Sequence, residues 1–170
     1  MEFDVKVPIK PHLKKFLVHY YNSEIIPISR KDMLGVIIMS LLNKDHNPHE
    51  KYISRPVAEL TFRIGEFNAK RSGFFMSNYN VALVNNYLDS LFRFLFSDSV
   101  SKKLNGAIPE KGFYKNEARQ FFKFYGIEEE EFALDSFLKD FYRARTDNKN
   151  LGANCPLFIG KFQFYSHNQK

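Results

Sequence analysis

A chain of 170 residues, 44% hydrophobic and 26% charged, is long enough to bury one core without a metal or disulfide staple. The single Cys155 excludes an intramolecular disulfide, and no apolar run approaches the roughly 18 residues that span a bilayer, so a soluble cytoplasmic protein with no membrane partner is expected. The net charge of +6 favours an acidic partner without requiring one.

Phe3, Val5, Val7 and Ile9 alternate with Glu2, Asp4 and Lys6, the pattern of a half-buried strand over 2–9 ended by Pro8 and Pro11. A helix follows over 11–21, burying Leu13, Phe16, Leu17 and Tyr20 and leaving Lys10, His12, Lys14 and Lys15 on its wet side. Residues 25–28 read as a short strand. Ser29 reads as the N-cap of a second helix over 30–42, with Asp32 three residues on and Leu34, Ile37, Ile38 and Leu41 as the buried stripe. The polar stretch 43–50, with Pro48, ends that helix. A third strand over 57–67 places Leu60, Phe62 and Ile64 on one face. Its exit, Asn68-Ala69-Lys70-Arg71-Ser72-Gly73, reads as a basic turn into Phe74-Phe75. Ser77 then caps a long central helix to about Phe96, with Val81, Val84, Leu88, Leu91 and Leu95 as its seam and Tyr87 and Phe94 beside them.

Residues 97–111 have the composition of a loop. Beyond it, 112–145 read as two amphipathic helices joined at Tyr125-Gly126-Ile127, a helix-turn-helix-like pair. Tyr114, Ala118, Phe121, Phe122 and Tyr125 recur at steps of three and four in the first, and Leu134, Phe137, Leu138 and Phe141 in the second. Gly126 supplies the left-handed stop, and the acids Glu128, Glu129, Glu130 and Glu131 are placed where the next helix begins. Residues 157–165, with Phe158, Phe162 and Phe164 on one face, read as a last strand returning to the sheet. The expected fold class is therefore α+β. One compact domain over 1–170 has a small antiparallel or mixed sheet packed with about five helices, the C-terminal helical hairpin occupying 112–145.

No catalytic motif, Gly-rich phosphate loop or cofactor signature is present, so the chain reads as a non-enzymatic binding protein with no cofactor. His46 and His49, flanked by Asp45 and Glu50, are the nearest approach to a metal site. Pro48 between them spoils the helical spacing and Cys155 stands alone, so no metal is expected. The 19 Phe and 9 Tyr read first as core, with Tyr20, Tyr21, Tyr79 and Tyr142 better surface candidates than any Phe. Lys70, Arg71 and Phe74 combine cations for phosphate, a neighbouring Gly for close approach and a ring for stacking, which is the chemistry of a nucleic-acid contact. Lys14 and Lys15 form a second basic cluster and Arg143 with Arg145 a third, at the end of the last helix. Insertion of that helix into a major groove is disfavoured, because its leading residues would be carboxylates facing phosphates.

Two segments, Val5-Lys6-Val7-Pro8-Ile9-Lys10-Pro11 with Leu13 to Leu17, and Phe121 to Phe132 with Lys139-Asp140-Phe141-Tyr142-Arg143, resemble small proteins of phages and mobile elements from Bacteroidetes-type bacteria. The resemblance implies an accessory or regulatory protein acting in the cytoplasm of a bacterial host cell. It gives two expectations. In the first, the protein binds DNA or RNA through the basic and aromatic residues above. In the second, it is an anti-CRISPR-like inhibitor of a host defence nucleoprotein: either Glu128, Glu129, Glu130, Glu131 and Asp135 mimic phosphate in a basic channel, or the basic residues seize its guide RNA.

Overall fold

The computed structural model describes residues 1–44 and 58–150, with side chains in the last helix as far as Arg145. The opening alternation forms β1 (Glu2–Ile9), which buries Val5, Val7 and Ile9. Helix α1 (Pro11–Tyr21) begins on a proline, whose missing N–H is harmless in a first turn, and stops at Asn22 in the left-handed region. Then come β2 (Ile25–Ile28), α2 (Met33–Leu41), β3 (Ala58–Gly65), α3 (Glu66–Ser72), α4 (Asn78–Leu104), α5 (Phe113–Tyr125) and α6 (Leu134–Asn150). The α+β expectation holds. The sheet is mixed, in the order β1-β3-β2, with β1 antiparallel and β2 parallel to the central β3. Val5 and Ile26 both lie beside Phe62, and this face turns into the helices. The opposite face carries Glu2, Asp4, Lys6, Glu59 and Arg63. There Arg63 grips Asp4 through two bonds of 2.8 and 2.9 Å, and Lys6 meets Glu59 at 3.0 Å. Residues 157–165 lie outside the described residues.

Two boundaries and one buried seam differ from expectation, each for a local reason. Helix α2 is capped by Asp32 rather than Ser29: the carboxylate accepts from the Gly35 N–H at 2.5 Å and from the Ser29 N–H at 2.8 Å, so the serine supports the cap. Helix α4 continues through the expected loop to Leu104. Val100 is buried, Asp98 and Lys102 pair across one turn at 2.6 Å, and Asn105 ends the helix in the left-handed region. The seam of α4 also lies one step round from Leu91 and Leu95, at Val84, Leu88, Phe92, Phe96 and Val100, because the larger phenyl rings take the centre. Phe92 has ring centroids of Phe16 at 5.4 Å, Phe121 at 5.0 Å and Phe137 at 5.8 Å, so it joins α1, α5 and α6 in one aromatic core.

A polar cluster fastens α1 to α4 within this core. His12, expected on the wet face of α1, is only 3% exposed and stacks on Phe132 at 4.1 Å. Its Nε2–H donates to Asp89 at 3.2 Å, while Arg93 Nε donates to the other oxygen at 3.1 Å. Asn85 completes the join, accepting from the Lys10 N–H at 2.8 Å and donating to the Pro8 carbonyl at 3.1 Å. Burial alone would raise the Asp89 pKa. The bond from His12 and the charges of Arg93 and Lys10 outweigh it and hold the carboxyl at about 2.

A depressed carboxylate stabilises the fold fully above its ordinary value of 3.8 and ceases to do so as the pH falls towards about 2. Asp89→Asn is therefore expected to cost about 2–3 kcal/mol at neutral pH. Denaturant unfolding of both proteins checks this, and the gap between them should close as the pH is lowered from about 4 to about 2.

Candidate nucleic-acid interface

Lys70 and Arg71 stand in the last turn of α3, where cations complement the exposed carbonyls, and not in a turn. The chain passes from β3 straight into this helix, which buries only Ala69. Lys70 pairs with Glu66 at 2.6 Å one turn back, and that bond holds the Glu66 carboxyl below its ordinary range. Arg71 is exposed and has no ion-pair partner among the described residues.

The exit of α3 is built on backbone. Gly73 adopts φ 96°, and a Cβ there would collide with the Asn43 carbonyl and the Lys44 nitrogen. Phe74 and Phe75 each donate an N–H to the Asn43 oxygen at 3.1 Å, and the Asn43 N–H returns to the Phe75 carbonyl at 2.6 Å. This clamp presents Phe74 and Phe75 at 40% and 42% exposure, Phe74 resting edge-on against Phe3 at 5.1 Å. Before and after it along the chain are Phe67, 74% exposed, in α3 and Tyr79, 71% exposed, in the first turn of α4. The same clamp brings the exposed Lys44 beside α3. Phe67 and Lys44 are not apparent from the sequence: Phe67 falls within the expected strand 57–67, and Lys44 meets this surface through the Asn43 bridge.

The other two basic groups are occupied except for Lys14. Lys15 pairs with Glu131 at 2.8 Å and lies 3.7 Å from Glu128, and the bond to Glu131 raises its pKa. The acidic residues are not in the first turn of α6 but in the preceding loop, where the Glu128 N–H donates to Glu131 at 3.0 Å and the Phe132 N–H to the Glu128 carbonyl at 3.2 Å. Burial would raise the Glu131 pKa; the bonds from Lys15 and the Glu128 N–H lower it overall. Asp135 alone of the five acids occupies the first turn of α6, 3.3 Å from Lys115. Glu129 and Glu130 are exposed without ion-pair partners among the described residues, and Lys14 is half-buried and likewise unpaired.

At the far end, Arg143 meets Asp140 at 3.6 Å. The Arg145 guanidinium lies 4.8 Å over the Tyr114 ring and donates to its hydroxyl. Tyr114, at the start of α5, also packs on Phe141 at 5.4 Å, and Phe122, towards its end, on Phe137 at 5.2 Å. The two helices are thus antiparallel neighbours in an αα-hairpin. They form the expected C-terminal helix pair, with residues 126–133 between them. Gly126 closes α5 as expected, at φ 65°, with the Ile127 N–H returning to Phe122 at 2.9 Å.

Of the surface tyrosines, Tyr20, Tyr79 and Tyr142 are exposed, whereas burial raises the Tyr21 pKa; Phe67 is at least as open as any of them. Among the described residues no cluster of His, Cys, Asp and Glu could hold a metal ion, and no helix is long and apolar enough to cross a membrane. His46, His49 and Cys155 lie outside the described residues. No protein-family model, curated protein or solved structure matches the chain.

Gly73 and Gly106 both have positive φ, but a Cβ at Gly106 would meet nothing within 4 Å. Gly106→Ala is expected to cost about 1 kcal/mol and Gly73→Ala about 2 kcal/mol more, from the collision with Asn43. Thermal unfolding of the two variants measures the difference.

Proposed function

We propose that the protein binds single-stranded nucleic acid, as a non-enzymatic accessory or regulatory protein, through the junction of α3 and α4. The observation that carries this reading is the exposure of Phe67, Phe74, Phe75 and Tyr79 within 66–79, beside Lys70, Arg71 and Lys44. Burying such a ring would stabilise the fold by about 1.5–3 kcal/mol, so leaving several in water at one place needs a compensating use. Stacking on unpaired bases supplies about 1–3 kcal/mol per base, and a single strand, unlike a duplex, offers its base faces. Arg71, without an ion pair among the described residues, meets phosphate directly, whereas Lys70 exchanges the Glu66 carboxylate for one. The clamp on Asn43 fixes the backbone that carries Phe74, which limits the ordering entropy lost on binding.

The acidic loop supports a second reading, in which Glu129 and Glu130 enter a basic channel of a host defence nucleoprotein. Their freedom from ion pairs among the described residues favours it. It stands second because Lys15 already neutralises Glu131 beside them.

Anisotropy with a fluorescent single strand is expected to show binding that weakens with salt. Lys70→Ala with Arg71→Ala should flatten the slope of log affinity against log salt by about 1.4, two phosphate contacts at roughly 0.7 each. Phe67→Ala and Tyr79→Ala should each weaken binding about 5- to 150-fold with the slope unchanged, and a duplex of equal length should bind more weakly. Absence of any shift at low salt contradicts the proposal. A host protein complex that resists nuclease and is lost on Glu129→Lys with Glu130→Lys would establish the second reading instead.

A further inference from the structure

We propose that the outer edge of β1 is a self-association surface, on which a second copy of this chain pairs its own β1 antiparallel about a two-fold axis at Asp4. The hydrogen-bond parity of the strand shows which backbone groups are available. The Glu66 N–H donates to the Met1 carbonyl at 2.9 Å, so Met1 and every second residue after it, Phe3, Val5, Val7 and Ile9, direct their backbone groups at β3. Glu2, Asp4, Lys6 and Pro8 direct theirs away from it. The Pro8 carbonyl confirms this, since it accepts from Asn85 of α4 on the side opposite β3. Among the described residues nothing bonds the outward N–H and C=O groups of Glu2, Asp4 and Lys6, and all three residues are exposed.

Open edges are ordinarily guarded by charge or proline, and β1 carries both. Its charges nevertheless form a self-complementary pattern. In the register centred on Asp4, Glu2 faces Lys6 of the second copy and Lys6 faces its Glu2. The central row runs Arg63, Asp4, then Asp4 and Arg63 of the second copy, and is neutral because Arg63 already holds Asp4 at 2.8 Å. Glu2 is available for this role: it lies 3.7 Å from an Arg63 committed to Asp4. On the other face, Phe3 falls beside Val5 of the second copy and extends the apolar row Phe3, Ile64. The next register along would also pair Asp4 with Lys6, but it sets Glu2 against Pro8, which has no N–H and whose carbonyl Asn85 occupies. An unrelated strand meets the guarding charges without their complement, whereas a two-fold copy meets both. The edge strand β2, shorter and interrupted by Pro27, offers no equivalent.

Sedimentation equilibrium of the whole chain between about 1 µM and about 1 mM tests this, since a small interface of this kind is weak. A reversible monomer–dimer equilibrium is expected. Lys6→Pro should abolish it while leaving the circular dichroism spectrum and melting temperature near wild type, because the Lys6 N–H points away from β3 and Pro8 already occupies a position of the same parity. Glu2→Lys, which sets like charges opposite, should weaken the dimer roughly tenfold, and Glu2→Lys with Lys6→Glu should restore it. If Lys6→Pro unfolds, the charge reversal and its restoration decide. A wild-type chain monomeric throughout the range, or a dimer indifferent to both substitutions, overturns the proposal.

Discussion

The ring of Phe92 is the contact on which the rest of the architecture depends. It lies within van der Waals reach of rings from α1, from both arms of the helical hairpin and from the loop between them, through Phe16, Phe121, Phe122, Phe132 and Phe137. Phe96, one turn on, repeats the pattern with Phe121, Phe137 and Phe141. A long helix with two phenyl rings at its centre thus holds three others, and the His12–Asp89–Arg93 cluster locks the angle at which α1 meets it. Helix α3 stands outside this seam. It packs on the end of the sheet and on α2 and buries a single alanine, so its aromatic neighbours are not needed for the core.

Several cations on or against the helical hairpin are paired: Lys15 of α1 is met by Glu131, Arg143 by Asp140, Lys103 of α4 by Glu117 and Lys115 by Asp135. Arg145 is spent on the Tyr114 ring. Exposed ion pairs of this kind add little stability, but each lowers the positive potential that a polyanion meets. Among the described residues Arg71 and Lys44 have no ion pair, and the same holds for the exposed Arg119, Lys123 and Lys139 of the hairpin.

Strands β1 and β3 were legible because one face is buried, and a period of two over Val5, Val7 and Ile9 or Leu60, Phe62 and Ile64 has few other readings. The hairpin helices were legible for the corresponding reason at a period of 3.6: Phe137, Leu138 and Phe141 are all buried. Local composition failed where a side chain answers to a distant partner. Helix α3 has no apolar period to read, since only Ala69 faces inward, and it owes its position to the Gly73–Asn43 contact across the chain. His12 looked like a surface residue until Asp89, far along the sequence, took its proton donor. The run of four glutamates resembled a helix start, but Glu131 is turned back to Lys15 and to the Glu128 N–H, so the helix begins only at Leu134. Within the candidate site, Lys70, Arg71 and Phe74 follow from residue type alone. Phe67 and Lys44 require the fold.

The claim that base stacking at the α3–α4 junction gives the protein its partner is tested most directly by ultraviolet cross-linking of the intact chain to a single strand, with adducts located by mass spectrometry. Adducts concentrated within 66–79, on Phe67, Phe74, Phe75 or Tyr79, are the predicted result. Adducts confined to α5 and α6, or none from a strand that demonstrably binds, would contradict it.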